Sequence, residues 1–271
     1  LMTIRLSDKI GMKKILKTAQ DFKIGKYMDT NLSMSLGAGS VTLMSLTNAY
    51  AMIVNGGKEI TPTLIVSVYD KNGKQIINNE VKNCTGCIQT NKEFSFNVPL
   101  VSSIQKEILD PRIAYQITSM LEGVVLRGTG KKISALKTPL AGKTGTTNKN
   151  KDAWFIGFSP DLAIGVYVGY DTPKSLGYKQ TGSAVAVPIF KNFIERAQIN
   201  NNKVPFRIPS GMSFVRIDNN TGLVSKNSSD ILEPFILGTE PYNKNNIKKL
   251  DNLSSINNNS ISGTGSLLLD W

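Results

Sequence analysis

The chain contains no histidine among its 271 residues. That absence excludes Ser-His-Asp and Cys-His catalysis and removes the commonest metal ligand. Acid–base chemistry then falls to Lys, Asp, Glu or Tyr, and a serine activated by lysine is one of the few hydrolytic designs still open. Cysteine is scarce as well: Cys84 and Cys87, in Cys-Thr-Gly-Cys, are the only two. A Cys-x-x-Cys can be a redox pair, half of a zinc site or a small disulfide-closed turn. Without a second Cys pair or a histidine, a zinc site lacks its other ligands. The pair lies among polar turn residues rather than at the head of a helix, which favours a local disulfide in an oxidising compartment, or two free thiols, over redox catalysis. Neither a metal nor a cofactor is expected.

Long apolar runs are also missing. A membrane span needs roughly 18 or more apolar residues in succession, and no stretch approaches that. Leu1-Met2-Thr3-Ile4 lacks the basic start and cleavage site of a signal peptide, so any export address is expected upstream. Acidic residues are outnumbered, 20 against 32 Lys and Arg, for a net charge of +12. A basic surface favours polyanions. The lysines are scattered through an Asn- and Lys-rich chain, however, and no block interleaves them with aromatics as a nucleic-acid motif would. No nucleic-acid partner is expected. Hydrophobic residues at 40% supply enough apolar mass for a core.

The pattern along the chain predicts an α+β arrangement. Met2, Ile4, Leu6, Ile10, Met12, Ile15 and Leu16 recur at helical spacing, broken at Gly11. Residues 25–39 read as loop. A second helix runs from about Thr42 to Asn55, with Leu43, Leu46, Tyr50, Ile53 and Val54 on one side and Gly56-Gly57 closing it. Residues 61–79 read as a hairpin about Asp70-Lys71-Asn72-Gly73, and 80–98 as polar and irregular. Asp110-Pro111 is an N-cap followed by proline at the first helical position, opening a helix with Ile113, Ile117, Met120 and Leu121 as its apolar stripe. Three antiparallel strands follow, in 139–146, 153–158 and 162–170, joined by short turns. A closing helix over 183–197 should turn Val185, Ile189, Phe190, Phe193 and Ile194 inward. Residues 204–240 hold further short strands. The expected organisation is a main domain over 1–200, a short β extension over 201–242 and a low-complexity, disordered tail over 243–271.

Within the strand region, Lys143-Thr144-Gly145-Thr146-Thr147 carries the chemistry. Serine acyl transfer needs a nucleophile, a base, donors for the oxyanion and a clamp for the substrate carboxylate. Lys-Thr-Gly-Thr on an edge strand can supply the last two. Gly145 lets a substrate backbone lie close. The Thr146 N–H can serve as oxyanion donor, and the Thr144 and Thr146 hydroxyls can hold a carboxylate beside the charge of Lys143. Gly142-Lys143-Thr144 also looks like the end of a phosphate-binding loop. That pattern needs glycine five residues before Gly142, where the chain has Lys137, and the segment that follows reads as strand rather than helix.

Lys-Thr-Gly is the third motif of enzymes that acylate a serine with penicillin. The run Ala141-Gly142-Lys143-Thr144-Gly145-Thr146-Thr147, followed by Asp152-Ala153-Trp154-Phe155, closely resembles the transpeptidase domain of class A penicillin-binding proteins, the bifunctional peptidoglycan synthases. Ser35 to Thr42 with Asn55-Gly56-Gly57, Asp110 to Tyr115, and Pro205-Phe206-Arg207-Ile208-Pro209 resemble the same family, in the same order. The resemblance implies a serine β-lactamase/DD-transpeptidase-like fold. It implies an enzyme at the periplasmic face of the bacterial inner membrane, with peptidoglycan stem peptides and β-lactams as partners. In the family a serine attacks the D-alanyl-D-alanine bond, D-alanine leaves, and a neighbouring peptide amine resolves the acyl-enzyme. Lys143, Thr144, Gly145 and Thr146 match its substrate-binding motif. Gram-negative members often carry a Cys-x-x-Cys where Cys84 and Cys87 lie, which fits export.

The family also has Ser-x-x-Lys first and Ser-x-Asn second, and Leu1 to Leu6 resembles the helix just after the second. The nucleophile, Ser-x-Asn, the glycosyltransferase domain and the membrane anchor are therefore expected upstream, and the chain alone is expected to be inactive. The alternative is a non-catalytic remnant, or one half of a split protein. Ser103-Ile104-Gln105-Lys106 and Ser134-Ala135-Leu136-Lys137 spell the first motif, and Ser95-Phe96-Asn97, Ser225-Lys226-Asn227 and Ser255-Ile256-Asn257 the second. Matches this short are expected by chance in a Ser-, Lys- and Asn-rich chain, and neither Ser103 nor Ser134 opens a buried helix that would hold Lys one turn from Ser.

Overall fold

A computed structural model of the protein describes residues 1–80, 82–85, 100–197 and 204–241. Two compact units divide the chain, Leu1–Ser210 and Gly211–Trp271.

In the first unit, helices α1 (Met2–Ile10) and α2 (Met12–Asp21) meet at Gly11. Single 3₁₀ turns at Gly25–Tyr27 and Leu32–Leu36 lie within the stretch read as loop. Helix α3 (Leu43–Val54) starts where the Thr42 hydroxyl accepts from the Ser45 N–H at 3.1 Å, satisfying a donor that the first turn leaves unpaired. A hairpin follows, β1 (Ser67–Tyr69) against β2 (Gln75–Asn78). Its turn is fixed by the Asp70 carboxylate, which accepts from the N–H groups of Asn72 and Lys74, each at 2.8 Å. Strands β3 (Lys82–Thr85) and β4 (Leu100–Ser103) form a second antiparallel ribbon. Strand β3 corrects the reading of 80–98 as irregular: the polar run Lys82-Asn83 gave no alternation to announce it, and its partner supplies the pairing. Most of that stretch, and the predicted tail over 243–271, lie outside the described residues.

Helix α4 (Pro111–Arg127) begins at Asp110, whose carboxylate accepts from the Arg112 N–H at 2.8 Å. Its buried positions are Ala114, Thr118, Gly123 and Val125, whereas Ile113 and Met120 are 40% and 63% exposed. The helix is seated by small side chains that let it approach closely, so the predicted stripe of large ones points partly the wrong way. Strands β5 (Ala141–Thr146), β6 (Ala153–Phe158) and β7 (Ala163–Val168) then form one antiparallel sheet in the order β5-β6-β7. The register sets Thr144 beside Phe155 and Phe155 beside Val166.

Side chains alternate across this sheet, and both faces are covered. On one, Phe155 packs edge-on against Phe190 of α5 (Val187–Ala197), with ring centroids 4.9 Å apart. Val125, Ile133, Leu140, Val166, Ala186, Val187 and Ile194 complete that core. On the other, Phe158 lies between Tyr50 of α3 and Phe206, at 6.3 Å and 5.8 Å, with Ala141, Tyr115 and Leu121 around them. A single π turn, Gly182–Ala186, precedes α5. Phe190 and Ile194 face inward as expected, with Ala186 and Val187, whereas Ile189 and Phe193 are each 49% exposed at the margin of the buried stripe, contrary to the sequence expectation.

In the second unit, β8 (Met212–Ile217) pairs antiparallel with β9 (Ile231–Ile236), from Met212 beside Ile236 to Ile217 beside Ile231. No helix among the described residues is long and apolar enough to cross a membrane.

Candidate substrate-binding site

Lys143-Thr144-Gly145-Thr146 occupies the last four positions of β5, one of the two outer strands of its sheet among the described residues. Alternation divides these residues. Thr144 and Thr146 lie on the α5 side, in line with Phe155 and Ala153, and Lys143 and Gly145 lie on the α3 side, in line with Ile156 and Trp154. The expectation that Lys143 flanks the two hydroxyls is therefore met only across the strand. Its ammonium donates to the Thr144 carbonyl at 2.9 Å. Backbone direction also follows from alternation. The Thr147 N–H donates to the Asp152 carbonyl at 3.1 Å, towards β6. An antiparallel ladder reverses direction at each residue, so the N–H of Thr146 and that of Thr144 point to the open edge.

Two segments hold this edge in place, the loop after α4 and the residues Gly182-Ser183. The Thr129 hydroxyl, in the loop after α4, lies 2.9 Å from that of Thr144. The Gly182 N–H donates to the Thr146 hydroxyl at 3.0 Å, and the Ser183 hydroxyl donates to the Thr129 carbonyl at 2.7 Å. Gly182 is packed so closely over the strands that a Cβ there would lie 2.5 Å from the Trp154 carbonyl oxygen and 2.6 Å from that of Gly145. At Gly145 itself a Cβ would meet the Trp154 Cβ at 3.1 Å, so glycine here answers to the neighbouring strand as well as to anything bound outside.

The turn from β5 to β6 is braced by Asp152. Its carboxylate accepts from the hydroxyls of Thr147 at 3.1 Å and Tyr167 at 2.9 Å, and its N–H donates to the Thr147 hydroxyl at 2.8 Å. The bond to Asp152 pushes the Tyr167 phenol above its usual range, because the neutral phenol is the donor. Tyr167 also packs on Trp154, with centroids 4.8 Å apart. The sequence pattern does not mark Thr129, Gly182, Ser183 or Asp152 as site residues. Of these only Asp152, five residues from Thr147, could have been found from local spacing.

The rejected serine matches are engaged locally. Ser103 ends β4 and shares hydrogen bonds with Gln105. Ser134 sits in a 3₁₀ turn (Lys131–Leu136) and donates to the Lys131 carbonyl at 2.7 Å. Ser225 accepts from the Asn227 N–H at 3.1 Å. Cys87, Ser95-Phe96-Asn97 and Ser255-Ile256-Asn257 lie outside the described residues, as does the side chain of Cys84 in β3, and with them the proposed disulfide.

Helices on both faces of an antiparallel sheet, with Lys-Thr-Gly-Thr on its open edge, define an α+β domain of the DD-transpeptidase-like class. The chain belongs to the penicillin binding protein transpeptidase domain family, whose model matches residues 1–195. It is 38% identical to penicillin-binding protein 1A of Rickettsia prowazekii over 265 residues, 96% of this chain and 32% of that protein. It is 32% identical to penicillin-binding protein 1A of Neisseria meningitidis over 215 residues, 78% of this chain and 25% of that protein. The crystal structure of penicillin-binding protein 1A from Haemophilus influenzae superposes with a TM-score of 0.73 at 26% identity, covering 89% of this chain and 39% of that one. The chain thus spans about a third of the length of the Rickettsia relative.

Proposed function

We propose that this chain forms the carboxylate-binding side of a serine DD-transpeptidase site that cross-links peptidoglycan, within a bifunctional cell-wall synthase. The observation that carries the reading is the open edge of β5, where two threonine hydroxyls on one face accompany the outward N–H of Thr146. In this reading Thr144 and Thr146 hold the terminal carboxylate of a stem peptide or β-lactam through charge-assisted hydrogen bonds. The Thr146 N–H stabilises the oxyanion as a serine oxygen adds to the carbonyl. Lys143 contributes positive charge from the α3 side, and Gly145 keeps the strand slim enough for a close approach. The attacking serine and the Ser-x-Asn motif come from outside these residues, so the chain alone is inactive. Action on the wall places the site at the periplasmic side of the inner membrane.

The test uses the native gene product, captured from its own cells with an antibody to residues 243–271 after treatment with fluorescent penicillin. A labelled band on a denaturing gel, well above the 29.6 kDa of this chain, is the expected result. An unlabelled band near that mass overturns the catalytic reading in favour of a remnant. A labelled band near that mass overturns the assignment of the nucleophile to residues outside this chain.

A further inference from the structure

The two hydroxyls proposed to hold a carboxylate are themselves held, by donors of different kinds. Thr146 accepts from the Gly182 N–H at 3.0 Å. A hydroxyl has one proton and two lone pairs, so that bond occupies a lone pair and leaves the Thr146 proton for a ligand. Thr144 is paired with another hydroxyl, that of Thr129, at 2.9 Å. Either oxygen of that pair can be the donor. If Thr144 donates to Thr129, its only proton is spent and it offers a carboxylate nothing but lone pairs. If Thr129 donates to Thr144, the Thr144 proton is free.

Thr129 is well placed for the second arrangement. Its carbonyl accepts from the Ser183 hydroxyl at 2.7 Å, and the Ser183 carbonyl in turn accepts from the Lys132 ammonium at 3.4 Å. The residue is thus pinned by its backbone to the same segment whose Gly182 holds Thr146. Thr129 and Gly182, the latter next to Ser183, therefore act from one pinned pair of loops, and both strand hydroxyls are oriented together.

We infer that Thr129 is a positioning residue for substrate binding: it donates to Thr144 and so turns the Thr144 proton towards the carboxylate of the ligand. This rests on the carboxylate reading given above. The bound state is then a relay, Thr129 hydroxyl to Thr144 hydroxyl to carboxylate, in which each bond polarises the next. The residue itself touches no reacting atom.

The test is the rate of acylation by fluorescent penicillin, followed against probe concentration in the native gene product with substitutions placed in its own gene. Thr129→Val keeps the shape and removes the donor. It is expected to raise the half-saturating probe concentration about tenfold, the cost of one weakened bond to a charged group, with the limiting acylation rate within about twofold of wild type. Thr129→Ser restores the hydroxyl and the wild-type value. In a Thr144→Val background, Thr129→Val adds nothing further, since there is no hydroxyl left to orient. A Thr129→Val protein that matches wild type, or one whose loss multiplies with that of Thr144→Val, overturns the role. Should valine not be tolerated there, Ser183→Ala is the second probe: it releases the Thr129 carbonyl and is expected to raise half-saturation about threefold, and an unchanged value overturns the role. Wild-type protein that takes no label overturns instead the reading of the whole site.

Discussion

The sheet β5–β7 and the ribbon β1–β2 are made from similar apolar residues and meet opposite fates. Phe155 and Phe158 of β6 are fully buried, with helices on either side. In and beside the ribbon, Val66, Tyr69 and Ile76 are 52%, 55% and 65% exposed. A two-stranded ribbon has no second layer of its own and is marginal in water. A sheet covered on both faces is dense and barely deformable. A strand edge keeps a fixed geometry where its sheet is dense: the hydroxyls of Thr144 and Thr146 are held in place because β5 is fastened to that element.

That contrast predicts a gradient of mutational effects. Phe155→Ala removes the ring that meets Phe190 and should cost about 3–5 kcal/mol, read as a large fall in the thermal unfolding midpoint; a midpoint close to wild type would show that the core is not where the stability lies. Thr42→Ala, at the start of the helix that covers the α3 face, should cost about 1 kcal/mol through the lost cap, read as a shift in denaturant midpoint with an unchanged slope. Ile76→Thr in the ribbon should stay within about 0.5 kcal/mol, and a larger loss would mean that the ribbon carries weight in the fold.

A pH test sharpens the same comparison at the head of α4. The Arg112 side chain, together with the Arg112 N–H, holds the Asp110 carboxyl down to about 2. A carboxylate depressed in the folded state contributes stability above its unfolded value, near 4, and loses it as the pH falls through the folded one. Wild-type stability should therefore decline between roughly pH 4 and 2 through this group, and Asp110→Asn should flatten that part of the profile. Glu122 works in the other direction. Burial raises its pKa, partly offset by Arg127, so its contribution is greatest at low pH and fades as the pH rises through the folded value.

Much of this architecture could be read along the chain. Strands β6 and β7 are apolar runs bounded by turn residues, and Asp110-Pro111 announces α4. Lys143 to Thr146 was recognisable because its residues are consecutive on one strand. What escaped was tertiary. Thr129 and Gly182 act on Thr144 and Thr146 across 15 and 36 residues, and no local spacing encodes such pairs. On α5, Phe190 and Ile194 face inward as expected, but the apolar stripe is wider than the buried one, and spacing alone does not say that Ile189 and Phe193 lie at its exposed margin. The opposite placement of Lys143 and the threonines follows from the period of two, but only once the segment is known to be a regular strand.

The close seat of Gly182 over Gly145 and Trp154 also bears on inheritance. Any side chain at 182 runs into carbonyl oxygens of two adjoining strands, so that seam offers selection no gradual path. Change along this edge is instead open at the hydroxyl-bearing positions around it, where a methyl or a proton can be traded without moving the backbone. The strand and its overlying loop are thereby tied together sterically, so that neither can change shape without the other.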